Sequence, residues 1–373
     1  MTDLEPILTL WQELRETRTE YVLASIVAVE GSGYRKTGAM MLIASDGRKC
    51  GTISGGCLEA EVARKAFWHT ENGPVVRPYS TSADDGDVPY GMGCGGVVHL
   101  LLERGESAVP FLERLNSSFR ERQALAVATV LSGKPVGRRC FFPSDEPVET
   151  PLVRSAALSY QECRSFSEKL VLKDGSRVEV RSEYRAARPG LFVFGAGDDA
   201  QPLVRQARNL GWYVVVVDGR SNLATKARFP EAHEVHVLPA RGAMRLKILN
   251  TDAAAVMTHS LEQDTYFLGS LLRKDVSYLG VLGPARRTGE MLDAIALEWS
   301  GSRAEQLALR EAWRQIVHAP MGLDLGGDTP ADIALSIVAE VQQTLRGGSG
   351  EALRTLRARS GGFRVEAASI PAD

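Results

Sequence analysis

No CxxC pair and no cysteine–histidine spacing of a zinc site occurs in this chain, which argues against a zinc ribbon or finger. The five cysteines (Cys50, Cys57, Cys94, Cys140 and Cys163) are odd in number and widely scattered, so a disulfide framework is not expected either. In a reducing compartment they are free thiols, and any special one must be found by its context. No apolar run reaches the roughly 18 residues that span a bilayer. The opening Met1-Thr2-Asp3-Leu4-Glu5-Pro6 lacks the basic and apolar regions of a secretion signal. A cytoplasmic protein with no membrane partner is expected. Charge of one sign is missing as well: 44 Lys and Arg against 46 Asp and Glu leave a net −2, which argues against nucleic acid as a partner. No internal repeat is apparent.

What is present is enough apolar sequence for sizeable cores. A chain of 373 residues, 44% hydrophobic and 24% charged, is expected to form two or three domains. Leu4, Ile7, Leu8, Trp11 and Leu14 recur at helical spacing and predict an amphipathic helix over residues 2–18. Residues 21–29 and 39–44 read as buried strands, joined by a glycine turn and the basic pair Arg35-Lys36. Leu58, Val62 and Ala66 predict a helix starting at or near Cys57, and residues 97–102 a further strand. This N-terminal α/β domain is placed at 1–106. Over residues 107–188 the periodicity weakens, apart from strands at 125–131 and 177–180, and the stretch reads as a connector with some β structure. Strands at 191–194, 213–217, 235–238, 253–257 and 278–281 then alternate with helical stretches. That is the rhythm of a Rossmann-like, doubly wound parallel sheet, placed at 189–347. Its last helix, over 332–345, starts after Thr329-Pro330 and stops at Gly347-Gly348. Residues 348–373 read as a mobile tail. The fold class is α/β, an N-terminal α/β domain followed by the Rossmann-like one.

Two cysteines sit inside glycine loops, Gly55-Gly56-Cys57-Leu58-Glu59 and Gly93-Cys94-Gly95-Gly96. Flanking glycines let a ligand approach both sulfur and backbone amides. At a helix N-terminus the Cys57 thiol is expected to have a lowered pKa, which suits metal ligation or sulfur chemistry. The plainer alternative for both cysteines is a small residue closing a tight turn against the core. Glu59 and Glu61 read as first-turn acids complementing the helix dipole, with the orienting of a ligand as the alternative for Glu59. Arg35 and Lys36 suit a phosphate, or form a solvated basic loop.

In the second domain, Gly195-Ala196-Gly197-Asp198-Asp199-Ala200 follows a strand, opens a helix and precedes a strand ending in Asp218. This G-x-G-x-x-A pattern is a dinucleotide fingerprint, with Asp218 placed for a ribose hydroxyl. Asp198 and Asp199 conflict locally with an anion there, so NAD and a structural remnant of the site both stand. His259, after the strand at 253–257, Arg286, after the strand at 278–281, and His318, before a turn-rich stretch, point to the carboxyl edge of the sheet, where ligands bind.

Together these elements resemble the xanthine dehydrogenase accessory protein family (XdhC/CoxI). The resemblance rests on Gly31-Ser32-Gly33 with Arg35 and Gly38, residues 51–61, Gly93-Cys94-Gly95-Gly96, Gly195-Ala196-Gly197, Thr258-His259 and the stretches 279–287 and 318–340. It covers nearly the whole chain except the middle connector and the tail. It implies a chaperone without turnover of its own that binds molybdenum cofactor (molybdopterin), protects it while its sulfido ligand is installed, and delivers it to a molybdenum hydroxylase apoenzyme. A cysteine desulfurase is a further implied partner, and a homodimer is compatible with it. The cofactor's soft metal then suits thiolate ligation by Cys57 or Cys94. The amides of Gly55, Gly56, Gly95 and Gly96, with Arg35 or Lys36, suit its oxo and phosphate groups. Both glycine loops would have to face one cleft. Two positions depart from the family pattern: Tyr34 stands where a proline is usual, and Asp198 where many members carry histidine. The competing expectation is an NAD-dependent oxidoreductase using Gly195, Gly197 and Asp218, with His259 or His318 as acid–base.

Overall fold

The computed structural model describes residues 4–31, 34–80, 96–144, 147–239, 242 and 245–359. The chain divides into two compact units that meet in sequence at Ala187 and Arg188.

The first unit opens with α1 (Leu4–Glu16), whose Ile7, Leu8, Trp11 and Leu14 are buried on the predicted face. There follow β1 (Tyr21–Glu30), β2 (Met40–Ala44), β3 (Lys49–Gly51), α2 (Cys57–His69), β4 (Val75–Ser80), β5 (Val97–Arg104) and α3 (Gly105–Glu121). The strands form an antiparallel sheet in the order β3-β2-β1-β5-β4. Alternation along β1 sends Val22, Ala24 and Ile26 to one face, under Leu58, Val62 and Ala66 of α2. Tyr21 and Leu23 go to the other face, against α1 and α3.

The stretch 107–188, expected to be a connector, holds most of α3 and a second sheet. It is built from β6 (Leu125–Ser132), β7 (Arg139–Phe142), α4 (Pro151–Gln161), β8 (Phe166–Val171) and β9 (Arg177–Arg185). The sheet is antiparallel in the order β7-β6-β9-β8. Leu125 and Val127 of β6 join the core beneath α1 and α3, while Ala126, Ala128 and Val130 pack with α4. Strands β6 and β9 contain the two expected at 125–131 and 177–180, whereas β7 is only four residues long and β8 has no fully buried position, so neither carries a core-face pattern. The division expected at residue 106 falls in the first turn of α3, whose Ala108, Phe111, Leu112 and Leu115 belong to the core of the first sheet.

The second unit contains β10 (Gly190–Phe194), α5 (Ala200–Asn209), β11 (Tyr213–Asp218), β12 (Glu234–Val237), β13 (Ala253–Val256), α6 (Leu261–Leu271), β14 (Tyr278–Val281), α7 (Ala285–Trp299), α8 (Arg303–Ile316), β15 (Val317–His318) and α9 (Pro330–Arg346). All strand pairs are parallel, in the order β12-β11-β10-β13-β14-β15. Numbered from β10 this is the 3-2-1-4-5-6 order of a Rossmann sheet, and the order reverses between β10 and β13. Leu191 and Val193 face α5 and α9, while Phe192 and Phe194 face α6 and α7. Thr329 caps α9 reciprocally with Asp332, and Gly347 ends it in a left-handed conformation. Beyond Gly348 a short helix, α10 (Leu353–Arg359), lies in the stretch expected to be a tail, whose residues 360–373 fall outside the described ones.

Candidate functional site

In the first unit, residues 52–56 carry the chain from β3 into α2, which Cys57 opens. The turn is held from inside by Glu59. Its buried carboxylate accepts the Ile53 amide at 3.0 Å and the Ser54 amide at 2.8 Å on Oε1, and the Ser54 hydroxyl at 2.5 Å on Oε2. Ser54 Oγ accepts in turn the amides of Gly56 and Leu58, each at 3.1 Å. Burial pushes the Glu59 carboxyl up, but the bonds from Ser54 and the neighbouring backbone outweigh it, leaving a pKa below the ordinary value. Glu59 is therefore a buried clamp and does more than complement the helix dipole, the role read from the sequence. Glu61 is half-buried and pairs with Lys65 at 2.9 Å.

Gly56 caps α2 with φ 118°, a left-handed value that a side chain would strain, and a Cβ built there would meet open space. Arg35 Nε donates to Thr52 O at 3.2 Å. The Tyr34 ring lies 3.9 Å from where a Gly55 Cβ would stand, so the residue that replaces the family's proline lies over the cysteine loop. Lys36 is exposed. The structure thus brings Arg35, Gly55, Gly56 and the start of α2 together. Gly96 is buried just before β5; Cys94 and Gly95 fall outside the described residues. Among the described residues no group of three or more His, Cys, Asp or Glu is arranged to hold a metal ion. No helix among them is long and apolar enough to cross a membrane.

In the second unit the predicted residues gather at the carboxyl edge of the parallel sheet. Gly195 takes φ 133°, and a Cβ there would stand 2.4 Å from Met257 O, so the turn after β10 runs against the end of β13. Asp218, fully buried at the end of β11, accepts the Ala196 amide at 2.8 Å and the Arg220 amide at 2.9 Å. It also accepts Arg220 Nε at 2.9 Å and Nη2 at 2.7 Å. Burial raises its pKa, and these bonds more than reverse the rise. The ribose contact expected of Asp218 would have to displace Arg220. His259, left-handed at φ 63°, sets Nε2 2.8 Å from Asp199 Oδ2, and Arg228 reaches Asp198 at 2.9 Å. Both acids of the glycine turn are thereby paired. A Gly197 Cβ would stand 2.5 Å from Asp199 Oδ1, so Asp199 packs directly over that glycine.

Two predicted residues lie apart from this turn. Arg286 is 91% exposed, 3.8 Å from Glu290 on its own helix. Its neighbour Arg287 donates to the fully buried Asp264 at 2.6 Å. Asp264 also accepts the Thr258 amide and hydroxyl, so it ties the loop after β13 to α7. An Asp in the first turn of α6, behind its Ser260 cap, was the available signal. His318 stacks on the Tyr278 ring at 4.4 Å and sets Nδ1 2.9 Å from Glu340 Oε1. Glu340 Oε2 accepts the Tyr278 hydroxyl and the Gly322 amide, each at 2.6 Å.

With this geometry in place, known proteins give the frame. Residues 14–80 match the family described as XdhC and CoxI, and residues 191–341 match the XdhC Rossmann domain. A Bacillus subtilis protein described as a probable xanthine dehydrogenase subunit is 29% identical over 347 residues, 90% of this chain and 96% of that protein. The molybdenum cofactor insertion chaperone PaoD of Escherichia coli is 26% identical over 331 residues, 86% of this chain and 82% of that one. A crystal structure described as a xanthine dehydrogenase from Bacillus halodurans, 29% identical, superposes with a TM-score of 0.72 over 95% of this chain and 99% of that one. The chain belongs to the XdhC/CoxI family.

Proposed function

We propose that this chain binds molybdenum cofactor, shields it while its sulfido ligand is installed, and passes it to an apo molybdenum hydroxylase of the xanthine dehydrogenase type. Family membership supports this, as does likeness to a protein named as a molybdenum cofactor insertion chaperone. The observation that carries it is the position of Cys57, first residue of α2, behind a glycine with open space around it and a turn clamped by Glu59. A helix N-terminus favours the thiolate, and a thiolate suits a soft metal centre. Arg35 and Lys36 supply positive charge for oxo or phosphate groups, with the Gly56 backbone open to approach. Cys94, with Gly95 and Gly96, supplies a second thiol in this proposal. The edge of the Rossmann sheet serves as a clamp or as the surface met by the hydroxylase or by a cysteine desulfurase.

The test is retention. Purified protein mixed with molybdenum cofactor and passed through gel filtration is expected to carry molybdenum and pterin in the protein peak. Cys57→Ala or Cys94→Ala should lower that fraction several-fold. If neither substitution changes it, the thiol role is wrong; if the unmodified protein carries no cofactor, the chaperone role is wrong.

A further inference from the structure

The second sheet of the first unit, β7-β6-β9-β8, has no part in the function proposed above. We infer that it is a brace that sets the geometry of the cysteine loop, with Arg181 and Arg185 of β9 as positioning residues. This rests on the loop at Cys57 being the cofactor site.

The contacts form one continuous path. Arg181 Nη2 donates to Thr37 Oγ1 at 3.1 Å, and Arg185 Nη2 to Gly38 O at 3.1 Å. Arg185 also pairs with Glu183 at 2.8 Å, and that carboxylate lies so close over Gly38 (φ 87°) that a Cβ there would stand 2.3 Å from it. Three side chains of β9 thus grip two consecutive residues far away in sequence. The turn is fixed to its own sheet as well: the Gly38 amide donates to Ile26 O at 2.8 Å, and the Ala39 amide to Lys36 O at 3.3 Å. From the gripped turn, Arg35 reaches Thr52 O at 3.2 Å and the Tyr34 ring lies over Gly55. Thr52 precedes Ile53 and Ser54, whose amides Glu59 holds.

The chemistry of the grip argues for positioning rather than plain packing. Two sheets that need only cohesion bury apolar faces against one another, since a guanidinium taken from water costs free energy that only well-placed acceptors return. Here the Thr37 hydroxyl and the Gly38 carbonyl of the loop itself are acceptors, so these two bonds form only when the loop holds this conformation. Sequence places the basic pair Arg35-Lys36 directly before the two gripped residues, so the brace would also restrict where that charge is presented.

The test compares Thr37→Val, Thr37→Ser, Arg181→Ala and Arg185→Ala by amide hydrogen exchange and by peptide-resolved alkylation of Cys57 across pH. Thr37→Val touches only the loop side and leaves the sheet intact. Loss of one such bond is expected to raise exchange of residues 34–38 and 52–58 about tenfold. It should also shift the pH profile of Cys57 alkylation, with exchange in α4 unchanged. Thr37→Ser keeps the hydroxyl and should behave as the parent. The brace is overturned if Thr37→Val and both arginine variants leave exchange and alkylation as in the parent, or if Thr37→Ser loosens the loop as much as Val does. Cofactor retention, measured in parallel, separates the two ideas. A parent protein that retains no cofactor sinks the chaperone role, while exchange and alkylation still decide the brace.

Discussion

Glu59 accepts both the amide and the hydroxyl of Ser54, at 2.8 and 2.5 Å, so a single carboxylate fixes the backbone and the side chain of the residue that leads into the cysteine loop. Ser54 Oγ is then left with lone pairs only, and both are used by the amides of Gly56 and Leu58. Glu59→Gln would place an NH2 group against an oxygen that already accepts two bonds, and would free its hydroxyl proton. A loss of about 2 kcal/mol in urea unfolding is expected. The pH dependence follows from the direction of the shift. The folded pKa lies below the ordinary 4.5, so the stabilisation is complete above that value and fades as pH falls through the folded one. Glu59→Gln should flatten that part of the acid limb.

Gly195 carries a prediction in the other unit. Its φ of 133° and the 2.4 Å approach of Met257 O to a Cβ position leave no room for alanine, because the obstacle is backbone. Gly195→Ala is expected to cost about 3 kcal/mol and to appear in thermal unfolding as a fall of several degrees. Gly56→Ala, also at positive φ but in open space, should cost about 1 kcal/mol. Equal losses at the two sites would show that the close approach to Met257 contributes nothing.

Asp218 decides how a dinucleotide would fare. Its four hydrogen bonds come from inside the protein, so NADH would have to compete with Arg220 for the carboxylate. Saturating NADH is expected to leave the thermal midpoint unchanged, whereas a ligand present at a hundred times its Kd adds about 2.7 kcal/mol. Asp218→Asn should destabilise by about 3 kcal/mol, because it leaves the guanidinium without its buried partner. A clear NADH-dependent rise that Asp218→Asn abolishes would restore the oxidoreductase alternative.

Strands β10, β11, β13 and β14 of the parallel sheet were legible because each is a short apolar run bounded by turn residues, as in Tyr213–Asp218 and Tyr278–Val281, whereas β15 is only two residues long and was not read. Of the middle sheet only β6 and the start of β9 were legible; β7 is four residues long, and β8 has no fully buried position to mark a core face. The site was legible as a list of loops but not as bonds. Arg286 and Arg287 are adjacent and identical in type, and only the helix phase of α7 turns the second toward Asp264. Glu59 looked like a dipole complement because first-turn acids usually are. Its burial depends on Ile53 and Ser54 folding back over it, which no periodicity reports. His318 looked like an acid–base candidate, and its bond to Glu340 crosses 22 residues.

That last cluster makes the final prediction. Glu340 sits on α9 and gathers the Tyr278 hydroxyl from β14, His318 Nδ1 from β15 and the Gly322 amide from the loop beyond. Burial raises its carboxyl pKa, but the bond from Tyr278, then those from Gly322 and His318, bring it below the ordinary value. Burial, followed by the bond to this carboxylate, drives the Tyr278 hydroxyl far above the usual tyrosine range, so it remains a donor at every accessible pH. Glu340→Ala would strand three groups at once and should cost about 3 kcal/mol, against about 1 kcal/mol for Tyr278→Phe, which removes one donor and leaves two. Since the folded pKa of Glu340 is depressed, its contribution is present above pH 4.5 and lost as pH falls through the folded value. Urea titrations at pH 7 and pH 4 should therefore show the Glu340→Ala penalty shrinking at the lower pH. A penalty that stays constant, or one no larger than that of Tyr278→Phe, would mean that the carboxylate does not hold β14, β15 and α9 together.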